Sequence, residues 1–156
     1  MRTIYHRRMD DPLAVEAQVC LTVSAAARSL VAFYRPLLEP LGLTHPQYLA
    51  MLALWQYGRL SLKELAALLH LEPATASPLV KRLEAMGLVS RERATGDERA
   101  LDIVVTDAGR AMRASAVGIP TAMVDGLGLT PAQIDQIRSA AELLISAARP
   151  TAVDAG

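Results

Sequence analysis

Few side chains in this sequence are suited to covalent or metal chemistry. There is one cysteine, Cys20, and three histidines, His6, His45 and His70, are scattered through 156 residues. A single thiol forms no intrachain disulfide, and these residues have no zinc-ligand spacing, so a metal-free, cofactor-free protein is expected. A richer set lies further along: Thr75, Ser77, Lys81 and Arg82 with Pro78 among them in one stretch, then Arg91, Arg93, Asp97 and Arg99. Hydroxyl, ammonium and guanidinium groups of this kind bond base edges or neutralise phosphates. By themselves Lys81 and Arg82 read as a solvated helix face, the usual place for charged side chains. Over residues 81–99, five basic residues meet four acidic ones, and the whole chain balances at 16 of each. Indiscriminate binding to nucleic acid or an anionic membrane is therefore disfavoured, while a small local surplus suits site-specific contact with a duplex.

The elements that must present these residues are mostly helical. The chain has 27 alanines and only six aromatic residues, at a length suited to one domain. Asp11-Pro12 reads as the cap of a long first helix reaching about Glu39, weakened at Pro36 and ended by Pro40 and Gly42. Thr44-His45-Pro46-Gln47 is a capping box with Leu43 and Tyr48 placed as its staple, opening a helix to about Tyr57. Ser61-Leu62-Lys63-Glu64 is a second box, flanked by Leu60 and Leu65, for a short helix to about Leu69. After the turn His70-Leu71-Glu72, a fourth helix starts near Pro73, with Ala76, Leu79, Val80 and Leu83 on one buried face. Pro78 either bends this helix or moves its effective start to Ser77. Leu88–Arg93 and Leu101–Val105 read as the strands of a hairpin, joined by a charged loop from Ala94 to Ala100. Thr106 caps a fifth helix, interrupted at Gly118 and Pro120, and Thr130-Pro131 opens a sixth to about Ala148.

Two short helices followed directly by a hairpin have the layout of a winged helix-turn-helix, whose second helix reads DNA. Burying Ala76, Leu79, Val80 and Leu83 turns the Thr75, Ser77, Pro78, Lys81 and Arg82 region towards the other side. Arg91, Arg93 and Arg99 lie in the adjoining wing, where an arginine at the tip suits a minor groove. From Pro12 to Ala148 the chain resembles the MarR family of winged-helix transcription regulators. The resemblance is carried by the run from Pro36 to Thr44, Ser61–Leu65, Leu79–Glu84, and Asp97-Glu98-Arg99 through Thr106 and Gly109. It implies a mainly α fold with a small β-hairpin wing, an obligate homodimer through its N- and C-terminal helices, and an inverted-repeat operator. The expected organisation is a flexible arm over 1–11, a single domain over 12–148 and a flexible tail over 149–156. Within the domain, 12–42 and 107–148 would dimerise and 44–106 would bind DNA. No apolar run is long enough to cross a bilayer and no signal peptide is visible, so a cytoplasmic protein is expected.

Cys20, Tyr34 and the Thr44–Tyr48 segment further resemble the organic-hydroperoxide-sensing branch of that family. The resemblance makes Cys20 a peroxide sensor whose sulfur is bonded by two tyrosines of the partner subunit, at positions matching Tyr34 and His45. Histidine thus stands where the second tyrosine is expected. A sensor thiol must be reachable and substantially thiolate. With the first helix beginning at Pro12, its N-terminus lies too far from Cys20 to help, which leaves Tyr34 and His45 to supply stabilisation. A protonated imidazole would favour thiolate and a neutral one could hold the thiol inert, an alternative the residues leave open. The opposing reading is that Cys20 packs as a small hydrophobe, in which case a repressor would respond to a small aromatic or phenolic inducer. Tyr34 and His45 then become an interface aromatic and a first-turn residue, and Trp55 reads as core. A thiol peroxidase is disfavoured by the lack of a resolving cysteine and by the complete winged-helix region, and a protein-interaction module using the same winged helix is an alternative that failure to retain any genomic fragment at moderate salt would favour.

Overall fold

Side-chain caps open four of the seven α-helices described in the computed structural model, which covers residues 11–15, 18–94 and 96–148. Thr44 Oγ1 accepts from the Gln47 amide at 3.4 Å and Gln47 Oε1 from the Thr44 amide at 2.9 Å, opening α2 (His45–Tyr57). Ser61 and Glu64 make the same reciprocal pair at 3.2 and 2.8 Å, opening α3 (Leu62–Leu68). Thr106 Oγ1 accepts from Gly109 at 3.1 Å to start α5 (Asp107–Ala116), and Thr130 with Gln133 boxes the start of α7 (Pro131–Ala147). Each such cap contributes about 1 kcal/mol.

The first helix departs from expectation. α1 spans Val19–Leu38, not the stretch from Pro12. Asp11 Oδ1 accepts from the Leu13 amide at 2.9 Å, and the Asp11 carbonyl accepts from Ala14 at 3.0 Å, so the Asp-Pro pair closes one local turn. Gln18 is extended, and its side-chain amide donates to the carbonyls of Pro12 and Ala14. These local bonds satisfy backbone groups that a continuous helix would otherwise use. At its other end α1 passes Pro36, and a single 3-10 turn over Glu39–Leu41 leads to Gly42, at φ 67°.

α4 (Pro73–Ala85) runs unbroken through Pro78, which decides the question left open by the sequence. Ala76, Val80 and Leu83 are fully buried on it and Leu79 is half-buried. The wing is larger than a two-stranded hairpin. β1 (Arg59–Ser61), β2 (Val89–Ala94) and β3 (Asp97–Val105) form an antiparallel sheet in the order β1-β3-β2. β1 pairs Arg59 with Val104 and Ser61 with Asp102, while β2 pairs Val89 with Val105 and Arg93 with Leu101. Most of the charged segment expected as a loop is thus strand, Ala94 facing Asp97 after a register shift; Thr95 lies outside the described residues. After α5 the chain breaks and restarts as α6 (Ile119–Leu127), giving seven helices among the described residues.

Residues up to Ile119 form one compact unit and those from Pro120 a second. The core of the first gathers Leu38, Tyr48, Met51, Leu54, Leu65, Val80 and Leu83, each fully buried and each stabilising by roughly 1.5–3 kcal/mol. Leu43 and Leu60, the outer halves of the two staples, join the same cluster. In the second unit α7 buries none of its residues and exposes Ile137, Leu143, Leu144 and Ile145. The arm beyond Asp11 and the tail from residue 149 lie outside the described residues.

α5 meets the turn after α4 at Gly109, where an added Cβ would collide with the Leu88 carbonyl and stand 2.8 Å from Val105 Cγ1. Gly109→Ala, which helix propensity alone would favour, is therefore expected to destabilise the protein by about 2 kcal/mol, read as a lower urea midpoint.

Candidate nucleic-acid interface and thiol site

The helix pair α3–α4 is closed by hydrogen bonds around a left-handed residue. The Leu71 amide donates to the Ala66 carbonyl at 2.8 Å and the His70 amide to Ala67 at 3.2 Å, with His70 at φ 53°. This is the double closure that ends a helix in a sharp reversal, here with histidine where glycine is commoner. α4 leaves that turn with Thr75, Pro78, Lys81 and Arg82 exposed and Ser77 half-buried, all away from the buried Ala76–Val80–Leu83 stripe.

The wing residues divide by role. Arg93 and Arg99 are exposed. Asp97 Oδ1 accepts from the Arg99 amide at 2.9 Å, shaping the start of β3. Arg91 turns back to α4, its Nε 3.4 Å from Glu84 Oε2. That is close enough for an ion pair but misaligned for a hydrogen bond, so Nε and Nη2 are buried with no hydrogen-bond partner among the described residues. Arg59 drew no attention in the sequence, where it is an isolated charge before a capping box. It spans the wing sheet, with Nη2 2.6 Å from Glu92 Oε2 and Nη1 3.4 Å from Asp102 Oδ2.

Cys20 is exposed and is the second residue of α1. The expectation that the helix N-terminus is too remote to act on it is overturned, because α1 starts at Val19. Amides of a first turn have no helical partner, and negative charge is stabilised there. Tyr34 and His45 are brought together, ring centroids 4.9 Å apart and tilted by 53°, with Tyr48 5.8 Å from Tyr34. Burial pushes the Tyr34 phenol up and the His45 imidazole down from their usual values. Burial also raises Tyr48, with a smaller contribution from the neighbouring Tyr34. Burial thus favours the neutral form of both Tyr34 and His45. Cys20 stands apart from them: fourteen residues of one helix separate it from Tyr34 by about 21 Å.

A cavity of about 310 Å³ is lined by Leu54, Trp55, Gly58, Val105, Arg110 and Arg113. Trp55 packs against the core, and its indole N–H donates to the Gly109 carbonyl at 2.8 Å. Arg110 donates to the Val105 carbonyl at 2.7 Å and to Asp107 at 2.6 Å. Among the described residues no cluster of side chains could hold a metal ion, and no helix is long and apolar enough to cross a membrane.

Comparison with known proteins places these features. Residues 43–101 match the model of the MarR family. The organic hydroperoxide resistance transcriptional regulator of Bacillus subtilis is 35% identical over 135 residues, 86% of this chain and 92% of that one. The HTH-type transcriptional regulator TtmR of Methylorubrum extorquens is 40% identical over 137 residues, 88% of this chain and 69% of that one. Among solved structures, reduced AbfR bound to DNA superposes with a TM-score of 0.70 at 28% identity, covering 84% of this chain and 91% of that one. AbfR of Staphylococcus epidermidis gives 0.65 at 30% identity, over 84% and 93%. A helix-turn-helix with a three-stranded wing, together with these likenesses, shows that the chain belongs to the MarR family: it is a DNA-binding transcriptional regulator, not an enzyme.

Proposed function

We propose that the chain acts as a homodimeric repressor on an inverted-repeat operator and is released when an organic hydroperoxide oxidises Cys20. The observation that carries the reading is the exposed thiol in the first turn of α1, about 21 Å along the helix from a Tyr34–His45 pair. One copy of the chain holds thiol and pair apart, so a complete site requires the pair of a second copy. Exposed apolar residues on α1 (Leu21, Val23, Leu30, Val31) and on α7 support such an association. The likeness to the Bacillus subtilis regulator supports the choice of oxidant. Thr75, Ser77, Pro78, Lys81 and Arg82 would face the major groove, and the wing with Arg91, Arg93, Asp97 and Arg99 would lie against the backbone and minor groove.

In the proposed reaction the thiolate attacks one peroxide oxygen, an S–O bond forms as the O–O bond breaks, and the departing alkoxide takes a proton to leave as alcohol. With one cysteine in the chain, the sulfenic acid then condenses with an external low-molecular-weight thiol, forming a mixed disulfide and releasing water. Tyr34 O–H and the one N–H of neutral His45 are hydrogen-bond donors suited to the anionic sulfur. A second reading, a repressor released by a small ligand bound without covalent change, has the cavity beside Trp55 and Arg113 in its favour.

Three outcomes follow for purified protein and a duplex selected by it from a randomised pool. Cumene hydroperoxide with a low-molecular-weight thiol is expected to weaken wild-type binding about a hundredfold, or 2.8 kcal/mol, and to leave Cys20→Ser unmoved; equal release in both removes the thiol from the mechanism, and reversible release without a mass change favours the ligand reading. Replacing Arg82 or Lys81 with alanine should cost about 1–3 kcal/mol of binding at constant salt, which anisotropy titrations measure. His45 carries a lowered pKa when folded, so the unfolded chain takes up the proton first as pH falls. Its contribution to stability is present above pH ~6.5 and is lost below it; thermal melts of His45→Tyr between pH 8 and 5 should therefore fall less steeply on the acid side than those of wild type.

A further inference from the structure

The outer face of the wing sheet carries a charge arrangement that the DNA-facing residues do not account for. Glu92 on β2 stands directly opposite Asp102 on β3, and Arg59 on β1 lies one same-face position along, opposite Val104. Alternation puts these three side chains on one side of the sheet while Leu60, Ile103 and Val105 point into the core. Two carboxylates directly opposite on neighbouring strands repel one another. Asp102 needs a partner more than Glu92 does, its side chain being 16% exposed against 50%. Arg59 supplies both from the far edge strand: its fork reaches Glu92 at 2.6 Å and Asp102 at 3.4 Å, and also donates to the Arg93 carbonyl at 3.4 Å. A lone exposed ion pair adds little, but a planar guanidinium shared by two carboxylates and a carbonyl has a geometry that an ammonium does not reproduce.

The charge count gives this clamp a consequence. The three strands carry four arginines, at 59, 91, 93 and 99, and four carboxylates, at 92, 97, 98 and 102. Removing Arg59 would leave the sheet net negative, with two facing carboxylates uncompensated. We infer that Arg59 is a positioning residue for DNA binding: it folds Glu92 and Asp102 onto the sheet and cancels their charge, so that the wing approaches phosphate without repulsion. The inference rests on the proposed contact between the wing and DNA.

The test uses the full chain and the selected duplex at about 0.1 M salt, where charges within a Debye length of ~10 Å still act on one another. Arg59→Gln is expected to weaken binding about tenfold and Arg59→Lys by less. The triple variant Arg59→Gln/Glu92→Gln/Asp102→Asn should return to within about threefold of wild type, because removal of the carboxylates restores neutrality without restoring any bridge. A triple variant as weak as Arg59→Gln would make the role one of sheet packing and overturn the inference. Glu92→Gln/Asp102→Asn with Arg59 intact should bind at least as tightly as wild type; weaker binding also overturns it, whether or not Arg59→Gln folds. Arg99→Ala separates the two readings. If it loses affinity while Arg59→Gln does not, only the Arg59 inference falls, and if neither loses affinity, the wing contact falls and the inference with it.

Discussion

Only a hydrogen atom fits between α5 and the turn that leaves α4. At Gly109 the α5 backbone presses on the Leu88 carbonyl, which also accepts from the Thr106 amide at 3.1 Å, while Thr106 Oγ1 donates to the Gly87 carbonyl at 2.6 Å. Trp55 on α2 completes the knot by donating to the Gly109 carbonyl. The two ends of the hairpin, Val89 and Val105, pair immediately beside it. One close approach thereby sets α2, the end of α4, the root of the wing and the start of α5 in a single arrangement. The helix and the wing that would meet a duplex share this base, so the core sets their relative angle.

Much of this was legible in the residues because it is local. Threonine or serine followed three residues later by glutamine or glutamate marks a helix start, and at Thr44 and Ser61 the reciprocal bonds form, while Thr130, legible only as a cap before Pro131, gains the same box with Gln133. The buried stripe of α4 followed from spacing alone. The misreadings come from competition, either between two local signals or between a local signal and partners distant in sequence. Asp11-Pro12 is as good a turn as it is a cap, and the turn won. Arg59–Ser61 is too short to show a period and becomes a strand only because β3 offers its edge. Asp97–Ala100 has loop composition, yet β2 draws part of it into a ladder.

The thiol site was legible in its residue types and not in its electrostatics. Nothing in the order of residues tells which form of an imidazole at position 45 is favoured; its burial does, and favours the neutral form. Nor did the pattern reveal that Cys20 stands in a first turn, since that depends on where α1 begins. A shift of seven residues in one helix start moves the thiol from the interior of a helix to its electropositive end.

Proline occupies two of the first six positions of α4, and the helix accepts both. Pro73 sits where no backbone donor is needed, while Pro78 gives up the hydrogen bond to the Ala74 carbonyl and leaves that oxygen on an exposed stretch of the helix. Each ring holds its φ near the helical value even in the unfolded chain, which trims the freedom lost on ordering. The end of α4 that a groove would meet is stiff before any partner arrives, so less disorder has to be frozen out at docking, and a specific duplex can be distinguished on contacts alone.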